Sequence, residues 1–314
     1  MSERPRLQAS TLQDLVEQVE SVIFGKPQTV RRAITTLLAG GHVLLEDVPG
    51  TGKTSLARAL ARSIGGSFQR VQFTADLLPS DVLGVNLYSM KRESFQFHAG
   101  PVFHNVVLAD ELNRTSPRTQ SCLLEAMAEG RVSVDGTTHE LPKPFFVIAT
   151  QNPVDFEGTY PLPESQLDRF LMRLSIGYPD REASQRILED PHLGRRITEL
   201  KPVLDLEALQ GFMRAVPKIA FDDSLTGYLL DLVEATRRSR QLALGASMRA
   251  AIDLRRASQA QALLSGRNYV IPDDLKELFV PVVAHRVLLA PLRETDLDTS
   301  DVLEEILDQV KVPA

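Results

Sequence analysis

Apolar positions along this chain fall into two rhythms. Leu12, Leu15, Val16, Val19, Val22 and Ile23 recur every three or four residues, which predicts a helix from Ser10 or Thr11 as cap to Gly25 as stop. Val30, Ile34, Leu37 and Leu38 predict a second helix over 28–39. The runs at 43–46, 105–109 and 145–149 are continuously apolar, as expected of parallel strands buried on both faces. Strands over 70–73 and 171–176 bring the predicted number to five, separated by helical patterns at 54–63, 76–83, 117–129 and 165–170. Leu123, Leu124 and Met127 form the core stripe of the helix at 117–129, and residues 154–163 read as a loop. Two stretches break this alternation. Residues 84–100 flank the polar turn Lys91-Arg92-Glu93-Ser94 with apolar runs, and residues 131–141 turn at Asp135-Gly136; both predict inserted hairpins. After Asp180 strand signals vanish. Helices are predicted over 181–189, 205–215, 222–240, 247–265, 272–288 and 299–310, with 191–202 as a linker. The pattern therefore predicts an α/β domain over 1–180 and a smaller helical domain over 181–314.

Composition narrows the class. Hydrophobic residues make up 43% and charged residues 24% of the 314, an ordinary globular balance. A net charge of −6 argues against a dedicated nucleic-acid binder. Cys122 is the single cysteine, so an internal disulfide is impossible, and a reducing, cytoplasmic setting is expected. Cys122 itself reads as a core filler on the helix at 117–129. The first ten residues lack the apolar segment of a signal peptide, and no apolar run has the length of a membrane span. The six histidines show no metal-ligand spacing; His98 and His104 are assigned no role.

The chemistry concentrates at 43–57, where an apolar strand leads through a glycine-punctuated loop into a helix. The loop ends Gly52-Lys53-Thr54, the tail of the phosphate-binding loop pattern. Gly50 and Gly52 let successive N–H groups face an oligophosphate, and the helix start adds its positive end. Lys53 is expected against the outer phosphates and the Thr54 hydroxyl on Mg²⁺. Where the full pattern has its first glycine, this chain has Asp47. An aspartate fits there only if its carboxylate turns away from the phosphates. Asp110 and Glu111 end a buried strand, where ligands of parallel sheets sit. Asp110 can hold Mg²⁺ through water, and Glu111 can polarise the attacking water. A bare helix cap is the alternative. Asn152 ends the neighbouring strand, where an amide can reach the γ-phosphate, although Asn-Pro is also a common turn pair. Arg169 could project into a neighbour's site, where such arginines contribute roughly 10³–10⁵ in rate. Arg249 could reach back to the γ-phosphate from the helical domain, with Arg255 and Arg256 as alternatives. Alone, the surface reading wins for each: a salt bridge for Arg169 and a solvated side chain for Arg249.

Taken together, VPGTGKT, VVLADELNRTSPRTQSCLLEAMAEGRV, VIATQNPVDFEGTYPLPESQLDRF and GASMRA resemble the MoxR family of AAA+ ATPases. The likeness runs from about Phe24 to the last helices. It implies an αβα core with a five-stranded parallel sheet, followed by an all-α lid, with the two hairpins as family inserts. By the family pattern the nucleotide would meet Phe24, Gly25, Val48, Pro49, Gly50, Thr51, Gly52, Lys53, Thr54 and Ser55, with residues 22–25 beside the adenine. Thr54 and Asp110 would hold Mg²⁺, Glu111 would be the catalytic acid–base group, and Asn152 the first sensor. Arg169 would be the arginine finger and Arg249 the second sensor. Met248 stands where a proline is usual. The resemblance further implies an ATP-hydrolysing, chaperone-like protein that matures a client complex, in some members by cofactor or metal insertion. It also implies a homo-oligomeric ring, expected to be a hexamer, and a separate von Willebrand factor A domain partner. An ATP-gated scaffold with little turnover is the rival reading; a DNA motor is weaker, given the acidic charge and the absence of a basic hairpin.

Overall fold

The structure is a computed structural model, and it describes residues 9–152, 159–291 and 298–313. Residues 153–158, which hold much of the predicted loop at 154–163, lie outside the described residues.

Five parallel strands form the central sheet: β1 (Val43–Glu46), β2 (Phe68–Gln72), β5 (Val106–Asp110), β8 (Phe146–Gln151) and β9 (Met172–Leu174), in the order β2-β5-β8-β1-β9. The strand leading to the glycine loop thus lies between β8 and β9, with Leu44 opposite Ala149 and Arg173. Pleating sorts the apolar residues by face. Val43, Leu45, Val106, Leu108, Phe146 and Ile148 join one core, whereas Leu44, Val107, Ala109, Val147 and Ala149 join the other. Burial on both faces explains why these strands read as unbroken apolar runs.

The first face packs against α1 (Ala9–Glu20), α2 (Pro27–Leu38) and α3 (Lys53–Ser63). The predicted first helix reached Gly25, but α1 stops at Glu20. Residues 21–25 form a turn that closes at Gly25, whose φ is +71°. Val22 and Ile23 are still buried, yet they serve that turn rather than a helix stripe. The second face carries α5 (Pro117–Glu129), capped by Ser116, and the short α4 (Pro79–Leu83).

Both predicted hairpins are present. β3 (Gly84–Ser89) pairs with β4 (Ser94–Ala99), and β6 (Arg131–Val134) pairs with β7 (Thr137–Glu140). They touch each other: Phe97 stacks on His139 with ring centroids 3.9 Å apart, and Asn86 Nδ2 donates to Asp135 Oδ2 at 2.9 Å. On either side of its polar turn the first hairpin exposes apolar side chains, with Met90 88% and Phe95 71% exposed.

Beyond β9 and the short α6 (Glu164–Leu167) that precedes it, the chain is mainly helical: α7 (Arg181–Glu189), α8 (Leu193–Glu199), α9 (Leu206–Ala215), α10 (Asp223–Arg238), α11 (Met248–Leu264), α12 (Pro272–Val283) and α13 (Thr299–Gln309). Two expectations change here. The predicted linker 191–202 contains α8, held by the buried Ile197 against α3. Strands also return: β10 (Leu242–Leu244) pairs antiparallel with β11 (Leu288–Leu289). The latter begins at Leu288, the last residue of the predicted helix at 272–288. α12 ends instead at Val283, two residues after its internal Pro281, and passes through a 3₁₀ turn at 284–286. Helices α9 to α13 share the first core with α1 and α2, so the helical part is packed on the sheet domain rather than tethered to it.

Candidate nucleotide site

A cleft of about 370 Å³ opens at the carboxyl ends of β1, β5 and β8. Its lining includes Pro49, Gly50, Gly52, Lys53, Thr54, Asp110, Glu111 and Asn152, so residues from three separated stretches of sequence converge there. Gly50 and Gly52 have φ of +86° and +96°, and a Cβ added at either would meet nothing within 4 Å. The loop therefore surrounds open space with main chain alone, the shape that an oligophosphate needs. Gly52 is also the N-cap of α3, which directs the positive end of that helix into the cleft.

Lys53 Nζ donates to the carbonyls of Asp47 and Val48, each at 2.9 Å. Burial pulls its pKa below the ordinary lysine value, while the charges of Asp47, Asp110 and Glu111 oppose that shift. The Asp47 carboxylate does turn away from the loop. It is buried and accepts from Ser175 Oγ at 3.1 Å, from Gly177 N at 3.0 Å and from Ile176 N.

Asp110 accepts from Thr150 Oγ1 at 2.6 Å on one carboxylate oxygen and from Arg70 Nε at 3.0 Å on the other. Thr150 Oγ1 in turn accepts the Glu111 N–H at 2.8 Å. Glu111 has φ of +56°, in the left-handed region where a non-glycine residue is strained by roughly 1–3 kcal/mol. The sharp turn lets two successive acids leave the end of β5 in different directions. Glu111 Oε2 accepts from Gln72 Nε2 at 2.7 Å and from Arg114 Nη1 at 3.0 Å. Asn152 directly follows β8, whose last residue Gln151 donates from its amide to Glu46 Oε1 at 2.6 Å. Among the described residues no cluster of three or more His, Cys, Asp or Glu could cage a metal. A hydroxyl and one carboxylate beside a phosphate cradle fit Mg²⁺, which keeps waters and phosphate oxygens in its shell.

A second, apolar slot of about 210 Å³ meets the cleft at Gly50 and Gly52. Val22, Ile23 and Phe24 form part of its lining, as do Thr51 and Ser55. Of the expected nucleotide contacts, Gly25 and Val48 line neither cavity. Gly25 packs against Ala183, and Val48 contributes its carbonyl to Lys53.

The two arginines sit elsewhere. Neither lines the cleft. Arg169 Nη1 donates to the Leu124 carbonyl on α5 at 2.7 Å. Arg249 Nε lies 3.5 Å from Asp168 Oδ2. Asp168 also faces Arg286 Nε at 3.4 Å, and the nearly fully buried Arg286 reaches Asp253 Oδ2 at 2.8 Å and the Phe170 carbonyl at 2.7 Å. Both predicted arginines therefore flank the corner where the helical part meets the end of α6. Cys122 is not a nucleophile: burial pushes its thiol pKa up to about 12, and Sγ donates to the Thr119 carbonyl.

Sequence reasoning missed Arg70, Gln72, Thr150, Gln151, Ile176 and Pro179. Arg70 and Gln72 were legible as polar residues two apart on one face of a strand, but only pairing β2 with β5 shows that this face meets Asp110 and Glu111. Ile176 and Pro179 carry no local signal at all.

Parallel sheet, glycine cradle, paired acids and an appended helical bundle together define a P-loop ATPase of the AAA+ class. Residues 42–172 match the family model described as ATPase family associated with various cellular activities, and residues 234–306 match the AAA lid domain. The chain is 49% identical to the uncharacterised protein YeaC of Bacillus subtilis (strain 168), over 95% of this chain and 93% of that one. It is 39% identical to Chaperone MoxR1 of Mycobacterium tuberculosis, over 96% of this chain and 82% of the relative. The crystal structure of a candidate ATPase from Cytophaga hutchinsonii superposes with a TM-score of 0.90 at 36% identity, covering 98% of this chain and 96% of that one. The chain belongs to the MoxR family of AAA+ ATPases.

Proposed function

We propose that this protein hydrolyses ATP between like subunits of a ring and uses the cycle to remodel a client protein complex. One observation carries the reading: Lys53, Thr54, Asp110, Glu111 and Asn152 converge on a single cleft around an open glycine cradle. In this reading Lys53 leaves the loop carbonyls for the β- and γ-phosphates, and the main-chain N–H groups of 50–54 hold the remaining charge. Thr54 and Asp110 would hold Mg²⁺, which screens the phosphate charge. Glu111 swings from Gln72 and Arg114 to accept a proton from the attacking water, which Asn152 orients. The adenine lies in the slot lined by Val22, Ile23 and Phe24.

Arg169 lies outside its own cleft, half-buried on the Leu124 carbonyl, so a neighbour's cleft is the site it would serve. Arg249 is held at the same corner through Asp168 and lies outside the cleft, so its expected role as second sensor requires it to leave Asp168. A site completed in trans requires head-to-tail contacts that close into a ring, with six subunits as the family expectation. The division at about residue 180 into a nucleotide core and a lid belongs to this proposal, supported by the separate lid match. Cytoplasmic location does too; among the described residues no helix is long and apolar enough to cross a membrane. The exposed apolar residues that flank the β3-β4 turn, Tyr88, Met90 and Phe95, are the client-facing surface we assign, and a separate von Willebrand factor A domain protein is the expected partner.

Mixing Arg169→Ala and Lys53→Ala chains tests the shared site. Each variant alone should be inactive, and mixed rings should regain phosphate release. Dilute monomers that hydrolyse ATP at full rate would sink the proposal.

A further inference from the structure

We propose that Asp47 is a specificity-determining positioning residue: its carboxylate fixes the turn after β9 as a wall of the base slot, so that the site takes an adenine nucleotide in preference to a bare oligophosphate. The inference rests on the reading of the cleft as an ATP site. Asp47 stands where the loop pattern has a glycine, and a carboxylate there has a net cost beside bound phosphate. Its side chain is nonetheless buried, and its hydrogen-bond partners all belong to one turn, Ser175, Ile176 and Gly177. Ile176 and Pro179 from this segment line the apolar slot together with Val22 and Phe24. The same segment is also tied to the chain before and at the start of α2, where Lys26 Nζ donates to the Tyr178 carbonyl at 2.8 Å and Thr29 Oγ1 to the Ser175 carbonyl at 3.2 Å. Asp47 is therefore the link between this segment and the phosphate loop. Gly177, at φ of +65°, gives the turn its shape but cannot hold it in place.

Phosphate and base contacts are separable here. Lys53 bonds to the main-chain carbonyl of Asp47, which any substitution keeps, whereas the base wall depends on the side chain. Asp47→Asn retains one acceptor oxygen and the volume but faces an NH₂ group toward N–H donors. It should release the turn while leaving the glycine cradle intact.

The test is calorimetric titration of the full chain and of D47N with Mg-ATP and with magnesium tripolyphosphate, alongside thermal unfolding of each protein. The expected result is ATP binding weakened by about tenfold or more, with tripolyphosphate binding unchanged or tighter because a like charge has gone. Ser175→Ala, which removes one donor and keeps the charge, should weaken ATP alone by about two- to fivefold, and it carries the test should D47N fail to fold. Both ligands tightening together would make Asp47 only a repulsive charge. Equal weakening of both, or an unaltered ratio in the folded variants, would make it only a structural anchor; each of these overturns the proposal. Wild-type protein that binds tripolyphosphate but not ATP would instead overturn the ATPase reading along with it.

Discussion

The cleft and the corner at residues 168–170 handle charge in opposite ways. In the cleft the charged groups rest on partners they can exchange: Lys53 on two carbonyls, Glu111 on Gln72 and Arg114. At the corner Arg286 is buried and locked between Asp168, Asp253 and the Phe170 carbonyl, while Arg249 stays half-exposed on the outer side of Asp168. Catalysis needs groups that can move toward a ligand. A junction needs groups whose departure is costly, because a buried charge left alone loses its solvation without recompense. On the proposed reading, the same residue types thus serve chemistry at one place and rigidity at the other.

The largest expected effect lies in the cleft. Glu111→Gln should lower steady-state phosphate release by about 10²–10⁴-fold with nucleotide binding retained, since the amide accepts no proton. Unchanged turnover would remove Glu111 from its role. At the corner, Arg286→Met should destabilise folding by about 3–5 kcal/mol, read from denaturant midpoints, because Asp168 and Asp253 lose their buried cation. An effect below about 1 kcal/mol would show the corner to be as loosely held as the cleft.

Acid probes the scaffold away from the phosphates. His42, fully buried at the start of β1, accepts the Val147 N–H on Nδ1 at 3.0 Å and donates from Nε2 to the Met127 carbonyl at 3.2 Å. Burial lowers its pKa to about 4, and burial first, then Arg286, lowers that of His285 in the same direction. The unfolded chain therefore binds more protons than the native one below the ordinary histidine value. Stability from these groups is complete above about pH 6.5 and is lost as pH falls toward 4, by about 3 kcal/mol for His42 alone. An unfolding free energy that stays level from about pH 7 to pH 5 would contradict this. The smallest effect is expected from Arg249→Ala, whose exposed ion pair should change folding stability by less than about 1 kcal/mol while ring turnover falls. Full ring activity in that variant would leave Arg249 a surface residue.

Much of the sheet domain was legible because its determinants are local. Unbroken apolar runs announce strands buried on both faces, and Gly50, Gly52, Lys53 and Thr54 form a compact signal whose chemistry follows from residue type. Asp110, Glu111 and Asn152 were readable as strand-end residues. The helical part was less so: Ile197 looked like part of a linker, and Leu288 like the end of a helix that Pro281 helps to stop.

By itself the sequence determined the class of fold, the family and the glycine loop between β1 and α3, since each depends on short-range periodicity or on contiguous motifs. Tertiary structure alone decided where the Asp47 carboxylate points, that Gln72 and Arg114 hold Glu111, and that Asp168 joins Arg249 to a buried Arg286. Each of these pairs groups far apart in the chain or sets one side-chain direction among several. Strand order and packing select such contacts, and no local pattern of residues encodes them.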